Sequence, residues 1–298
     1  KPVTTRTVTV GGAVKRPITV EVPVGTRIND LIFHAGGAGV EDFKVIVGGP
    51  VMGPVVGVDG VITKTIGGVI VLPSGHRLLE LKGQPIRVTK QRAKMCCTCR
   101  ECTILCPRNA LGHSISPAKM MSYSWHIDEI IARIERNDLD PFTERMVYEA
   151  LLCCQCGVCE LYSCIFGLSP NKIYALVVDA LKRSKVKVDF NKLSLQEDGM
   201  FEYRKLSAAT FARKLGLERY LVHTEFEPAG TFAPESVRIP LMQHIGAPAI
   251  PVVAVGDKVR RGDLLGEIPE GKLGARVHAS IDGAVAAVTG EAVSIEAS

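Results

Sequence analysis

The chain has 298 residues, 46% apolar and 22% charged, with a formal net charge of +5. That length and balance suit a soluble globular protein of two or three domains, and apolar runs as short as Ala175–Val178 and Val69–Leu72 exclude a helix spanning a bilayer. Lys1–Val10 alternates polar and apolar residues without a continuous apolar core, so no signal peptide is expected. The chain also begins without a Met, and it is read as part of a longer protein whose upstream segment is missing.

Residues 1–85 read as β-rich. Thr7–Val10 and Ile18–Val22 alternate like half-buried strands, with Gly11-Gly12 between them. Ile28–Ala35 has helical spacing and runs into Gly36-Gly37, and short strands follow at Lys44–Val47 and Gly68–Leu72. Two strands, a helix and further strands suit a small β-grasp domain. Residues 86–187 carry the cysteines and read mostly helical. Ser169-Pro170 is a helix start, a cap followed by Pro at the first helical position, and Ile173, Leu176, Val177, Ala180 and Leu181 form one apolar stripe. Residues 188–235 read as a linker with a short helix at Ala208–Leu215 ending at Gly216. In residues 236–298, turns recur at Val255-Gly256-Asp257, Arg261-Gly262-Asp263, Asp282-Gly283 and Thr289-Gly290, which marks a compact unit of short strands. The fold class expected is therefore α+β and multidomain.

All ten cysteines lie between Cys96 and Cys164. A disulfide framework would spread them, whereas tight clusters with two-residue gaps point to metal ligation in a reducing compartment. Cys96, Cys99, Cys102 and Cys106-Pro107 make the C-x2-C-x2-C-x3-C-P run of bacterial ferredoxins. The core repeats at Cys153, Cys156 and Cys159, with a four-residue gap to Cys164. Three thiolates spaced this way wrap one cube, and in two-cluster ferredoxins the fourth cysteine ligates the other cube. Cys96, Cys99, Cys102 and Cys164 are thus expected on one [4Fe–4S] cluster, and Cys153, Cys156, Cys159 and Cys106 on a second. Zinc, the alternative for C-x2-C pairs, is normally held by two separated pairs. Cys97 and Cys154 break the spacing and read as small apolar residues. The two clusters would bring the net charge down to about +1. The basic run Lys182–Lys187 reads as the cationic end of a helix, not as a nucleic-acid site.

Other features carry less chemistry. Gly36-Gly37-Ala38-Gly39 and Gly48-Gly49-Pro50 match neither G-x-G-x-x-G nor the P-loop and read as tight turns, with a ligand surface as the alternative. Val255–Val259, Gly262–Leu265 and Ala279–Gly283 resemble the biotinyl/lipoyl carrier hammerhead, yet Lys272 is flanked by Gly271 and Leu273, so no modified lysine is expected. His34, His76, His113, His126, His223, His244 and His278 are scattered without a ligand spacing.

Several stretches together carry a family resemblance. Cys96–Pro107 continues into Arg108-Asn109-Ala110-Leu111-Gly112-His113, and the second cluster into Phe166-Gly167-Leu168-Ser169-Pro170. Arg213–Tyr220 and Gln243–Ala249 follow, and Gly48-Gly49-Pro50-Val51-Met52-Gly53 precedes them. The chain resembles the electron-transfer family of the Rnf complex C subunit and the propanediol-utilisation cobalamin reductase. The resemblance implies a soluble-ligand-binding β-grasp domain, a ferredoxin-like two-cluster module and a barrel-sandwich hybrid (hammerhead) domain, following an upstream flavin domain that carries FMN and binds NADH. A hammerhead after the clusters favours the cobalamin-reductase branch. That branch implies relay of single electrons to cobalamin or another acceptor, in the cytoplasm and with a bacterial microcompartment. Its implied partners are the flavin domain, a cobalamin adenosyltransferase and microcompartment shell or lumen proteins. The chain alone is not expected to oxidise NADH. Rival readings are a membrane-associated Rnf-type subunit feeding ferredoxin, and a ligand-binding module with structural clusters. Ile165 stands where ferredoxins often have Pro.

Overall fold

A computed structural model describes residues 2–187, 189, 195 and 199–298. Contacts divide the chain into two units, residues 1–76 with 219–298, and residues 77–218. The sequence-based boundaries at 85/86, 187/188 and 235/236 fall elsewhere, and part of the expected linker 188–235 lies outside the described residues. Residues 77–85, expected in the first domain, join the second unit, as does the short helix of the linker. The remainder of the linker, from Arg219, joins the first.

In the first unit, β1 (Thr5–Gly12) pairs antiparallel with β2 (Ile18–Pro23), with Val8 opposite Val20 and Val10 opposite Ile18. All four are buried, as period-two alternation requires when one face of a sheet is covered. Helix α1 (Ile28–His34) turns Ile28, Leu31 and Ile32 into the same core. β3 (Phe43–Val47), β4 (Val55–Val56) and β5 (Gly68–Pro73) extend the sheet, β5 running parallel to β1. A sixth strand, β6 (Glu225–Glu227), comes from the expected linker and adds in parallel to β2, so the order is β4-β3-β5-β1-β2-β6. Glu227 explains why so polar a segment docks. Its carboxylate accepts from Arg16 at 2.5 Å and meets His34 Nε2 at 2.6 Å, and these bonds hold it below the usual carboxylate range.

The rest of the first unit is a pair of small sheets. β7 (Ser236–Pro240), β9 (Lys258–Val259), β12 (Gly283–Val288) and β13 (Ala292–Ala297) form one in the order β7-β13-β12-β9. β8 (Ile250–Pro251), β10 (Leu264–Glu267) and β11 (Val277–His278) form the other in the order β11-β10-β8. Val237, Ile239, Leu265, Val285, Val293 and Ile295 fill the space within. Aspartates shape its turns, Asp257 accepting from Ala254 N–H at 2.8 Å and Asp263 from Arg260 N–H at 2.7 Å. Gly25 lets this part approach the six-stranded sheet. It sits at φ +94°, and a Cβ there would lie 2.9 Å from the Arg238 carbonyl oxygen. Arg238 N–H donates to Gly25 O at 2.9 Å, and the buried Ser280 hydroxyl donates to Val24 O at 2.6 Å.

The second unit is helical: α2 (Arg77–Gly83), α3 (Ile86–Arg92), α4 (Glu101–Ile104), α5 (Pro107–Ala110), α6 (Pro117–Tyr123), α7 (Ile127–Glu135), α8 (Pro141–Leu152), α9 (Pro170–Arg183) and α10 (Ala208–Lys214). α9 packs against α6, α7 and α8. Its buried face is Ile173, Tyr174, Val177 and Ala180, with Leu176 and Leu181 at the margin of the same core. Tyr174 was not part of the expected stripe. Asp140 caps α8 by accepting from Thr143 N–H at 2.7 Å, with Pro141 at the first helical position. Ser169 occupies the corresponding place before α9, but its hydroxyl makes no cap and donates to Glu160 Oε1 at 2.6 Å. The basic run that begins in the last turn of α9 is partly neutralised, Arg183 pairing with Glu135 at 2.8 Å and Lys182 with Asp179 at 3.0 Å. Among the described residues no helix is long and apolar enough to cross a membrane.

Candidate iron–sulfur centre

The cysteines sit on loops between short helices. Cys96 ends the turn that follows α3, and Cys99 precedes α4, which carries Cys102. Cys106 is the residue before α5, whose first position is Pro107. Cys153 closes α8, Cys156 lies in the loop beyond it, and Cys159 opens a single π-helical turn, Cys159–Ser163, that ends at Cys164. The two loops repeat one backbone path. Thr98 and Gln155 both have φ +53°, and Arg100 at φ +64° matches Gly157 at φ +72°. Left-handed backbone at a Thr, a Gln and an Arg is uncommon and is held by surrounding structure.

The thiols gather around two small cavities. The first is lined by Cys96, Cys99, Cys102 and Cys164, the second by Cys106, Cys153, Cys156 and Cys159. Each set takes three cysteines from one motif and one from the other. Cys97 also lines the first cavity and Cys154 the second, where Cys154 hydrogen-bonds Cys156. Among the described residues no three His, Cys, Asp or Glu side chains converge tightly enough for a single metal ion. Four thiols without imidazole or carboxylate form a donor set that suits an iron–sulfur cluster and also a zinc ion.

Burial governs the acidity of these thiols. Cys102 is pushed up to about 12 by desolvation, and then by the neighbouring Cys164, Cys96 and Cys99. Desolvation likewise lifts Cys156 to about 12 and Cys153 to about 11, and raises Cys106, Cys159 and Cys164. Backbone amides oppose it, Leu168 N–H and Phe166 N–H pointing at Cys164, Asn171 N–H at Cys159, and Gln155 N–H at Cys153. Without iron the buried sulfurs are therefore neutral thiols at pH 7. With iron they must give up their protons, and the amides then face thiolates.

Two buried carboxylates brace the centre, and neither has a signature in the sequence. Glu149 on α8 accepts from Ser116 N–H at 2.9 Å and from the Tyr174 hydroxyl at 3.1 Å, and pairs with Arg145 at 3.1 Å. Burial, and then the Glu149 charge, push the Tyr174 phenol far up, so it is a permanent donor at the wall of the second cavity. Glu160, next to Cys159, pairs with Lys172 at 2.9 Å. Lys172 also donates to the carbonyls of Leu81, Lys82 and Gln84, closing the end of α2.

The Gly-rich segments lie in the other unit. Gly48-Gly49 form a tight turn, Gly53 N–H donating to Gly49 O at 2.8 Å. Gly37 and Ala38 line an open cleft beside α1, with Arg27, His34, Phe43 and Phe232.

Residues 95–169 match the 4Fe-4S dicluster domain, residues 7–55 the SLBB domain, and residues 224–297 the RnfC barrel sandwich hybrid domain. These matches give the chain a mixed α/β architecture whose cysteine-rich part is that of a 4Fe-4S dicluster domain. The chain is homologous to cobalamin reductase PduS and to the RnfC-type subunits of ion-translocating oxidoreductase complexes. The PduS proteins of Salmonella typhimurium and Citrobacter freundii are each 38% identical to it over 99% of its length and 62% of theirs. The C subunit of the Na(+)-translocating ferredoxin:NAD(+) oxidoreductase complex of Acetobacterium woodii is 51% identical over 55 residues, 18% of this chain and 12% of that protein. The chain thus spans about three-fifths of the curated relatives it matches along its length.

Proposed function

We propose that this chain relays single electrons through two [4Fe–4S] clusters, one held by Cys96, Cys99, Cys102 and Cys164 and the other by Cys153, Cys156, Cys159 and Cys106. The observation that carries the reading is the exchange of the fourth thiol: Cys106 reaches the second cavity and Cys164 the first. Such clusters supply one-electron transfer, with potentials set by hydrogen bonds to sulfur, charge and exposure. The chain's own residues hold the thiolates, keep buried sulfurs away from water and aim amides at them. The architecture proposed is a β-grasp sheet in the first unit, which Glu225–Glu227 joins, a ferredoxin-like module in the second unit and a hammerhead in residues 236–298.

Electrons enter from an FMN- and NADH-binding domain of the full-length protein and leave to cobalamin or another acceptor. A cobalamin adenosyltransferase and microcompartment proteins are partners, and the protein works in the cytoplasm with a microcompartment. Similarity to PduS along nearly the whole chain supports this reading. The stretch shared with Rnf proteins supports a second one, a membrane-associated subunit feeding ferredoxin, which co-purification with integral-membrane proteins would favour.

Anaerobically prepared protein is expected to contain about eight iron and eight sulfide atoms, and Cys164→Ser to lose the cluster of Cys96, Cys99 and Cys102 before the other. Stoichiometric zinc without sulfide would sink the cluster reading. NADH oxidation by residues 1–298 alone would sink the placement of the flavin domain upstream.

A further inference from the structure

The two cysteine loops are near copies, so the places where they differ separate the two centres. Cys96-Cys97-Thr98-Cys99 and Cys153-Cys154-Gln155-Cys156 share the backbone path, including φ +53° at the third residue. Gln155 uses that position twice. Its backbone N–H and its side-chain Nε2 each stand 3.4 Å from Cys153 Sγ. Thr98, its counterpart, ends in a hydroxyl one bond from Cβ, two bonds short of where Gln155 places its amide nitrogen. From that position Thr98 cannot make the same contact.

Reduction adds an electron to a cluster whose thiolates already carry negative charge. A donor aimed at a ligating sulfur stabilises the reduced form more than the oxidised one, and the potential rises. We propose that Gln155 is a potential-tuning residue, whose side-chain amide raises the reduction potential of the centre that includes Cys153, while Thr98 leaves the other centre without that contribution. That contact is one difference between the two centres; another is Arg100, which lines the first cavity at the position Gly157 holds in the second loop. The proposal rests on the two-cluster reading. Iron and sulfide content tests that reading, and the potentials test the proposal.

The experiment is EPR-monitored potentiometry on the intact, anaerobically prepared chain. Gln155→Thr is expected to lower the reduction equilibrium of one centre three- to tenfold, about 59 mV at tenfold for a one-electron couple. Thr98→Gln is expected to raise that of the other centre. Pulsed EPR on protein labelled with glutamine carrying side-chain 15N should show a coupling from that nitrogen to a reduced cluster, and Gln155→Thr should abolish it. Potentials unchanged in both variants at full iron content would overturn the proposal, as would the absence of side-chain 15N coupling in the parent protein. Should Gln155→Thr fail to hold iron, Thr98→Gln and the coupling in the parent decide the matter.

Discussion

Residues 1–76 with 219–298 are knit by strand ladders, while residues 77–218 are a set of short helices around loops that present thiols. In the first unit long-range pairing supplies both backbone hydrogen bonds and register, and Val8, Val10, Ile18 and Val20 close a continuous core. In the second, α4 and α5 have four residues each, far below the length at which a helix stands alone. Cys106 is buried in the helical core, and Cys96, Cys153 and Cys164 pack at its edge. One unit is therefore held mainly by apolar burial and strand ladders, and the other sets cysteines within and around its core.

Removing iron should expose this difference most strongly. Chelation under reducing conditions is expected to collapse amide protection across residues 96–170 while leaving β1, β2, β12 and β13 protected, as read by hydrogen exchange. Equal loss in both units would break the comparison. Next in size is Glu160→Ala, which strands Lys172 among the α2 carbonyls. A cost of about 3–5 kcal/mol is expected in the second unit, measured by urea unfolding of iron-loaded protein, and Lys172→Met should cost a similar amount. In the first unit Gly25→Val forces a side chain onto φ +94° and the Arg238 carbonyl. About 1–3 kcal/mol should be lost there, with iron content unchanged.

The smallest effect is a contrast in pH. In iron-free protein Cys102, Cys153 and Cys156 have folded values raised to about 11–12, above the ordinary thiol value. The unfolded chain releases those protons first, so their contribution is complete below about pH 9 and declines as pH rises toward 12. His278 in the first unit behaves oppositely. Burial, and then Lys64 and Arg276, lower its value, so its contribution is present above about pH 6.5 and falls as pH drops below that. Thermal melts of iron-free protein followed by exchange in each unit should show alkaline sensitivity in residues 77–218 and acid sensitivity around His278. The reverse pattern would contradict both assignments.

What was legible in the sequence was local. The alternation of Thr7–Val10 and Ile18–Val22 produced β1 and β2 because period two needs only one covered face. The stripe from Ile173 to Leu181 produced α9, and the doubled cysteine spacing picked out eight of the ten thiols that line the cavities. Each signal is complete within a dozen residues. Only the tertiary structure decided that Glu225–Glu227 becomes a sixth strand, since its docking depends on Arg16 and His34 some two hundred positions away. It also decided that Ser169 spends its hydroxyl on Glu160 instead of the α9 cap, and that Tyr174 and Glu149 brace the second cavity. A buried carboxylate reads in sequence like a surface one, because its identity as a brace lies in partners brought from other elements. The difference between Thr98 and Gln155 was likewise visible as letters, but its meaning depended on the left-handed turn that carries the Gln155 amide back to Cys153.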